Sequence, residues 1–409
     1  MVSDADVENK RRKRFAKATE SKLKWAANLF SKWKSARNEK ALKDPGLQLS
    51  VIHPALEEMT KDELCYSISR FMLEIKKKNG QPYPSETLYE LVMCLQLHLQ
   101  THGLFYKFLD DLDFIQIKNT LDGEMKHRAR QGNVVKRRKA LVITIEEENS
   151  LWEKGVLGSS NPLVLLHTVF YLIGLNFALR ANGDHRALRI HPTPQLTLHV
   201  DDDGHEYLSY RENVSKSNQG GLKHMKITPK TVRAYSNEAN PERCIIRLYK
   251  LYLSKLHNDL PPDAFYFKPK EITSPSDPVW FTRQVLGVNT LAKIVSTICT
   301  NGGLTGHRTN HSLRATAATR MYDLEFDEQL VCETTGHRSH CVRSYKRTSS
   351  ELKRKASRAV QGIKRKYQRA SQSSQAGASA KSGKQRAAPC ATVSMPPQVF
   401  NMYFQFGTD

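Results

Sequence analysis

The sequence predicts a mainly α-helical protein with a small β-sheet, in which a helical domain precedes a mixed α/β domain. Apolar residues recur at helical spacing over residues 21–128 with no strand pattern among them. In the second half of the chain, two alternating segments flank an acidic turn at Gly204 and indicate two strands between helices. A length of 409 residues also exceeds what one hydrophobic core usually holds, which favours two domains.

The first part of the chain predicts a small helical domain after a disordered start. Residues 1–20 are polar and basic, and we predict that they are disordered. Residues 21–128 predict four or five helices. A capping box formed by Thr60 and Glu63 starts one of them, and Gly103 is typical of the C-cap of the next.

A basic linker, predicted over residues 129–142, separates the two domains. Seven Lys or Arg residues lie between positions 126 and 139. Such a run can lie along a phosphate backbone or can simply be a solvated charged segment, and the sequence leaves both interpretations open. A tail, predicted over 351–409, starts highly basic and continues as a low-complexity segment.

The second domain is predicted over residues 143–350, and a capping box formed by Thr144 and Glu147 opens it. The apolar segment 162–180 is long enough to suggest a membrane span, but His167 and Asn176 interrupt it, so a buried core helix is the better interpretation. Two strands follow, then a loop and a short strand, and then four further helices.

The charge of the chain favours a polyanionic partner. Its net charge is +22 at pH 7, which indicates nucleic acid before membrane. Seven widely spaced cysteines without a CxxC pair fit reduced thiols inside a cell. The basic stretch that begins at Lys10, "KRRKRFAK", is typical of a nuclear localisation signal, and we expect a nuclear protein.

The segment 309–347 concentrates residues that can handle a phosphodiester. On a helix that begins near Thr309, His311 and Arg314 share a face. His337 follows in a Gly-His loop, and Tyr345 lies among basic residues. A tyrosine phenol is a weak nucleophile unless cations and a base lower the cost of ionising it, and arginines suit the charge that develops on an attacked phosphate.

These motifs resemble the tyrosine recombinases, or phage-type integrases, and among them the recombinases of Crypton DNA transposons and their domesticated relatives. The segments that carry the resemblance are "LWEKGVLG", "FALRANGDHRALR", "SKSNQGGL", "TNHSLRATAATRMY" and "TGHRS", in that order. The resemblance covers about residues 21–350. It implies a helical core-binding domain and a mixed α/β tyrosine-recombinase catalytic domain.

The resemblance also implies a role for each matching residue. Tyr345 is the expected nucleophile, and Lys216 is the lysine expected to protonate the leaving 5′ oxygen as a general acid. The residues expected to stabilise the transition state are Arg180, His311, Arg314 and His337. The segment "ANGDHR" departs from the family pattern Gly-Gly-x-Glu-His-Arg, which leaves Arg186 as an alternative to Arg180.

A metal site is the competing interpretation of the same segment, because Cys332, His337, His340 and Cys341 lie close in sequence. Their spacing does not match the paired ligands of usual zinc sites, and adjacent residues such as His340 and Cys341 point their side chains apart. We therefore predict no metal and no other cofactor.

The sequence supports two functions on one fold. The first is an enzyme that cleaves and joins DNA strands through a 3′-phosphotyrosyl intermediate, acting as a tetramer assembled on double-stranded DNA. The second is a domesticated, non-catalytic DNA-binding or chromatin regulator. The residues predicted to contact DNA are Lys126, Arg128, Arg130, Lys136, Arg137, Arg138, Lys139, Arg343 and Lys346.

Overall fold

A computed structural model describes residues 2–12, 14–131, 139–181, 183–213, 222, 228–338, 340–346 and 350–362. They fall into two compact units, which cover Met1–Tyr345 and Lys346–Asp409. Among these residues, none of the helices combines the length and the apolar character that a membrane span requires.

The first part of the larger unit is helical. Its α-helices are α1 (Asp4–Arg12), α2 (Lys17–Lys43), α3 (Lys61–Glu74), α4 (Ser85–Thr101) and α5 (Ile115–Arg130). Short 3-10 helices lie at Pro45–Leu47, Leu56–Glu58 and Leu112–Phe114. Helix α1 lies within residues 1–20, for which we predicted disorder. The run of charged residues that suggested disorder also allows a helix.

The helices α2 to α5 enclose one apolar core. Leu64, Phe71, Leu91, Leu95 and Phe114 are each fully buried in it. The predicted capping box starts α3: the Thr60 side chain accepts from the Glu63 backbone N–H while the Glu63 carboxylate accepts from the Thr60 backbone N–H.

The rest of the larger unit combines helices with two small sheets. The helices are α6 (Ile145–Glu153), α7 (Pro162–Asn176), α8 (Gly183–Ala187), α9 (Ile245–Ser254), α10 (Val288–Asn301), α11 (His311–Asp323) and α12 (Glu328–Thr335). The strands are β1 (Leu196–Val200), β2 (Glu206–Arg211), β3 (Thr231–Tyr235), β4 (Phe267–Pro269) and β5 (Phe281–Val285). Short 3-10 helices lie at Pro241–Arg243 and His340–Tyr345.

Both sheets are antiparallel. Strands β1, β2 and β3 form a meander in which Leu198 pairs with Leu208 and Leu208 pairs with Ala234. The turn between β1 and β2 contains Gly204 at φ 85°, a left-handed conformation that glycine adopts without a steric penalty. Strands β4 and β5 form a second, two-stranded sheet.

The predicted fold class is confirmed: the chain is mainly α-helical with small β-sheets. Helix α7 is the predicted buried helix and runs through the centre of the second core, with Leu165, Phe170 and Ile173 almost fully buried. The second sheet was not predicted, because β4 has only three residues and contains Pro269.

The smaller unit contains one described helix, α13 (Ser350–Val360). It lies at the start of the tail predicted over 351–409. Residues 363–409 of that tail lie outside the described residues.

Gly174 allows α7 to approach α11 closely. A Cβ at this position would lie 2.5 Å from Leu313 Cδ1 and 3.0 Å from His185 Nε2, both in the packed core. We expect Gly174→Ala to lower the free energy of unfolding by about 1–3 kcal/mol through overpacking, measured by urea denaturation.

Gly123, inside α5, is the matched control because a Cβ there would meet nothing within 4 Å. We expect Gly123→Ala to raise the stability by about 0.5–1 kcal/mol, since alanine is the better helix former. A destabilisation of the same size in both variants would contradict the role given to Gly174.

Candidate active site

Helix α11 positions two of the predicted catalytic residues. His311 and Arg314 lie one turn apart at its N-terminal end. Asn310, just before the helix, fixes this end in the core: its side-chain amide donates to the Leu291 carbonyl at 2.7 Å, and its side-chain oxygen accepts from Val295 N at 3.2 Å.

Arg314 is a buried cation that is satisfied by specific acceptors. Arg314 is only 3% exposed, and this burial lowers the pKa of its guanidinium. Nη1 donates to the Ala178 carbonyl at 2.7 Å, and Nη2 lies 3.2 Å from Nε2 of His337. Because an unpaired buried charge is costly, these acceptors fix the position of the guanidinium.

His337 follows Gly336, which ends α12 in a left-handed conformation at φ 71°. Thr335 Oγ1 donates its hydroxyl proton to the Val331 carbonyl at 2.6 Å, so it accepts from Nδ1–H of His337 at 2.7 Å. Nε2 of His337 is then the acceptor that faces Arg314. Burial, followed by the charge of Arg314, lowers the pKa of His337 to about 3, and the imidazole is therefore neutral at pH 7.

Tyr345 ends the 3-10 helix His340–Tyr345, with its phenol directed at the same group of residues. The phenol oxygen lies 2.9 Å from Nε2 of His311. The ring lies 5.1 Å from the His337 ring. The phenol is close enough to Arg314 to offset part of the lowering that burial causes in the pKa of that guanidinium. Thr319, on α11, donates to the Tyr345 carbonyl at 3.0 Å and ties this segment to the helix.

Arg180 is the fifth of the predicted catalytic residues that the structure describes. Two carboxylates hold its guanidinium. Nη1 lies 2.9 Å from Glu212 Oε1 and 3.4 Å from Asp184 Oδ1. Burial disfavours the charge of Arg180, but Asp184 and Glu212 outweigh it, and the pKa of Arg180 is raised. Of the two alternatives for the first arginine, the structure brings Arg180 to the set, since its charge perturbs both Arg314 and His337, whereas Arg186 is exposed.

Lys216, the predicted general acid, lies outside the described residues. A different lysine, Lys230, lies beside the set at the start of β3. It is only 9% exposed, and its Nζ donates to the Phe177 carbonyl. Burial, followed by the charge of Arg314, lowers the pKa of Lys230 to about 7.

Sequence reasoning missed Lys230 and also Glu212. One backbone hydrogen bond connects the two where β2 ends and β3 begins: Glu212 N donates to the Lys230 carbonyl at 2.8 Å. A lysine directly before a strand and a glutamate directly after one are common at protein surfaces. Nothing in their local sequence signals burial next to an arginine pair.

The turn after α7 supplies acceptors to both buried cations. Phe177 offers its carbonyl to Lys230, and Ala178 offers its carbonyl to Arg314. Ala178 adopts φ 44°, a left-handed conformation that costs a non-glycine residue about 1–2 kcal/mol. Since the C-terminal end of a helix carries partial negative charge, this turn is a favourable place for cations.

The residues of the competing metal interpretation lie in different environments. Cys332 packs against a small apolar cluster that includes Val331 and Val342. His340 is exposed, with its Nδ1 4.0 Å from Glu328, and Cys341 is exposed as well.

The residues predicted to contact DNA do not share one environment. Arg130, Lys139 and Lys346 are exposed, while Lys126 is exposed and pairs with Asp122 at 2.5 Å. Arg343 is exposed and pairs with Glu328 at 3.0 Å. The predicted residues that lie outside the described part of the chain are Lys136, Arg137 and Arg138.

Arg128 departs from the prediction. It is only 7% exposed, its Nε pairs with Glu124 at 2.5 Å, and its Nη1 donates to the Tyr83 carbonyl. A guanidinium held this way is not available to a phosphate in this conformation. The basic run of the sequence did not distinguish it from its exposed neighbours.

Two protein-family models match parts of the chain. One, described as a domain of unknown function (DUF3504), matches residues 142–300, and the other, described as the QRICH1 domain, matches residues 20–127. Zinc finger MYM-type protein 2 of Homo sapiens is 28% identical over 251 residues, which cover 58% of this chain and 18% of that protein. Transcriptional regulator QRICH1 of Mus musculus is 25% identical over 242 residues, which cover 58% and 30%. The chain thus spans less than a third of the length of these relatives.

Solved structures of recombinases resemble the chain distantly. The Tn1549 transposon integrase in complex with circular intermediate DNA has a TM-score of 0.40 and 12% identity, covering 81% of this chain and 98% of that one. The XerH site-specific recombinase bound to difH substrate has a TM-score of 0.36 and 16% identity, covering 83% and 96%. At TM-scores this low the likeness is distant, and the fold class rests on the helices and strands of the chain itself.

His185 connects the site to the core. It follows Asp184 on α8, stacks on Phe170 with ring centroids 3.9 Å apart, and its Nδ1 lies 2.9 Å from the Tyr266 hydroxyl. Its Nε2 is buried without a hydrogen-bond partner among the described residues. Burial lowers the pKa of His185 to about 3.

This burial predicts a loss of stability in acid. Between the ordinary histidine pKa of 6.5 and about 3, the unfolded chain binds a proton at His185 that the folded chain does not. The free energy of unfolding therefore falls as the pH falls through this window, by about 1.4 kcal/mol per pH unit from this residue. Denaturation of His185→Gln across the same pH range should show a slope shallower by that amount. Equal slopes in the two proteins would mean that His185 titrates normally.

Proposed function

We propose that this chain binds double-stranded DNA and cleaves and rejoins a strand through a covalent bond to Tyr345. The observation that carries the proposal is the 2.9 Å distance between the Tyr345 phenol oxygen and Nε2 of His311, beside the guanidinium of Arg314. A nucleophile within hydrogen-bond reach of a base, next to a buried cation, is the arrangement that activates a weak phenol.

The proposed reaction has two halves, cleavage and rejoining. The phenol oxygen of Tyr345 attacks the phosphorus, and its proton passes to Nε2 of His311. The bond between phosphorus and the 5′ oxygen breaks, which leaves a 3′-phosphotyrosyl link and a 5′ hydroxyl once the leaving oxygen takes a proton. Rejoining is the reverse: the 5′ hydroxyl attacks the link and releases Tyr345. No bond energy is lost, so the exchange needs no nucleotide hydrolysis.

Arg180 and Arg314 are the groups proposed to stabilise the charge on the non-bridging oxygens. Planar guanidinium groups suit bidentate contacts to phosphate. Arg314 has one nitrogen turned to the Ala178 carbonyl and another to the neutral His337. In this proposal His337 positions Arg314, and it also contacts the phosphate once the DNA is bound.

The proton for the leaving oxygen has two candidate sources. The family resemblance favours Lys216. Lys230 is the alternative because it lies beside Arg314 and has a pKa of about 7, the value that suits a general acid at neutral pH. Its contact with the Phe177 carbonyl would have to be exchanged for one with the leaving oxygen.

The proposed setting is a tetramer of chains on DNA in the nucleus. The exposed basic residues Lys126, Arg130 and Lys139 are proposed to contact the phosphate backbone, together with the basic residues that follow Gln131. The basic N-terminal stretch supports a nuclear location. An origin in a Crypton-type element is the finer form of the same proposal and rests on the sequence resemblance.

The second candidate is a DNA-binding regulator that no longer cleaves. It is favoured by the name of one relative, "Transcriptional regulator QRICH1", 25% identical over 242 residues. A regulator needs the basic surface, but it does not need a phenol, an imidazole and two guanidinium groups gathered at one place. The assembled set therefore favours the enzyme, and an assay for the covalent bond separates the two.

Covalent capture is the decisive measurement. DNA sites are first selected by binding to Tyr345→Phe protein, which lacks the nucleophile. The wild-type chain is then incubated with those duplexes, each nicked just 3′ of a possible cleavage position. Cleavage then releases a short fragment that carries the new 5′ hydroxyl, and its loss prevents rejoining. We expect a protein–DNA adduct that resists SDS with wild type and none with Tyr345→Phe.

Tyr322→Phe is the matched control, since it removes the hydroxyl of another tyrosine, one turned to the small cluster of Cys332 and Val331. It should form the adduct at the wild-type rate. Selected DNA that binds wild type without any adduct would establish the regulator instead of the enzyme. A failure to bind any DNA would remove both candidates.

A sulfur substitution identifies the general acid. A thiolate leaves without being protonated, so a duplex with sulfur in place of the 5′ bridging oxygen should restore cleavage to a variant that lacks only the acid. We expect Lys216→Ala or Lys230→Met to lose roughly 100-fold or more in the cleavage rate on ordinary DNA and to regain most of it on the sulfur duplex. Arg314→Ala, which lacks a charge-stabilising group, should stay slow on both. Rescue of neither lysine variant would exclude both as the acid.

A further inference from the structure

The helical first part of the larger unit contains three side chains that converge on one point and take no part in the candidate active site. They are Glu57, His98 and His102. The carboxylate oxygen and the two imidazole nitrogens that could bind a metal ion all lie within 4.8 Å of one another.

Two elements bring these ligands together. His98 lies in the last turn of α4 and His102 is the C-cap of that helix, so the two imidazoles share a face. Their ring centroids lie 4.5 Å apart. Glu57 lies in the 3-10 helix Leu56–Glu58, which the buried side chain of Leu56 anchors to the core.

A hydrogen bond leaves His102 in the tautomer that can bind a metal through Nε2. Nδ1 of His102 lies 2.9 Å from the His98 carbonyl oxygen, and since a carbonyl only accepts, this nitrogen carries the proton. The lone pair of His102 is then on Nε2. A ligand histidine in a protein metal site usually donates its second N–H in this way, to a carbonyl or a carboxylate.

The other two ligands already face each other. Nε2 of His98 lies 2.5 Å from Glu57 Oε1. The His98 side chain is 17% exposed and that of Glu57 is 35% exposed, so the pair is shielded from solvent on most sides. His98 with Glu57 forms an ion pair only when the imidazole is protonated, and such a pair gives no role to His102.

We propose that Glu57, His98 and His102 form a Zn²⁺ site that connects the 3-10 helix Leu56–Glu58 to α4. Two neutral imidazoles and one carboxylate are ligands that zinc prefers, and three protein ligands leave a fourth position of the tetrahedron open. His102 is exposed, so a water molecule can supply the fourth ligand. The proposal departs from our sequence-based prediction of no metal, which considered only the Cys and His residues of the segment 309–347.

A second group of possible ligands lacks these properties. Asp201, Asp203 and His205 lie in the turn between β1 and β2, and two of the three are exposed. They hydrogen-bond to the turn itself, where Asp201 accepts from the backbone N–H of Asp203 and of His205. This group is therefore explained by turn geometry, and it provides a control.

The test uses the full chain after removal of metal with EDTA. It is titrated with Zn²⁺ in a calorimeter and, separately, with Co²⁺, whose visible absorption reports tetrahedral coordination. We expect a single tight equivalent of Zn²⁺, a tetrahedral Co²⁺ spectrum and a higher midpoint of thermal unfolding in the presence of Zn²⁺.

Two substitutions of exposed histidines separate a built site from general metal binding. His102→Gln removes a ligand and should weaken the tight equivalent at least about 100-fold, since even outer partners of a metal site matter by 10–100-fold. His127→Gln removes an exposed histidine of α5 and should leave it unchanged. Circular dichroism checks that both variants are folded.

The turn group is tested with Asp201→Asn/Asp203→Asn, which should bind Zn²⁺ as the wild type does. The proposal is overturned if the wild-type chain shows no saturable tight binding. It is overturned equally if His102→Gln retains the tight equivalent, or if the Asp201→Asn/Asp203→Asn chain loses it.

Discussion

The burial of two positive charges side by side is the constraint on which the candidate active site depends. Arg314 and Lys230 are both almost inaccessible to solvent, and this burial lowers the pKa of each side chain. The chain accommodates them with the carbonyls of Phe177 and Ala178 at the end of α7. Two buried carboxylates, Asp184 and Glu212, lie in the same region and hold Arg180. A buried charge is tolerated only where such partners exist.

Much of the surrounding fold serves this constraint. Helix α7 has to end at the right place, with Ala178 in a left-handed conformation, for its last carbonyls to face the cations. Helix α11 has to pack against α7 closely enough for Arg314 to reach them, which requires the absence of a side chain at Gly174. Thr319 then ties the Tyr345 segment to α11. The proposed nucleophile Tyr345 and the guanidinium of Arg314 are thus positioned by one pair of helices.

The sequence was sufficient for the parts of the structure that local rules determine. Capping residues such as Thr60 and Thr144 marked helix starts correctly, and the interrupted apolar run of α7 indicated burial. The sequence also pointed to five catalytic candidates, since several motifs in the same order as in the tyrosine recombinases are a stronger signal than any single residue. These candidates are Arg180, His311, Arg314, His337 and Tyr345. The structure then brought these five together, although their catalytic roles are still proposals.

What the sequence could not supply depends on contacts between distant segments. Glu212 and Lys230 are 18 residues apart and meet only because β2 and β3 pair. Arg128 belongs to a basic run but turns inward to Glu124 and the Tyr83 carbonyl, which no periodicity reveals. The same holds for Glu57, which reaches His98 across 41 positions of the chain. In each case the partner decides the role of the side chain.

Lys230 also gives the site a charge that changes close to neutral pH. A neutral amine still carries N–H groups, so Lys230 can lose its proton and keep donating to the Phe177 carbonyl. This hydrogen bond is then kept while the positive potential around Arg314 and Arg180 falls. In the proposed function, acidity and salt concentration would control the attraction of a phosphate separately. Salt screens the exposed basic residues, and pH sets the charge of one buried lysine.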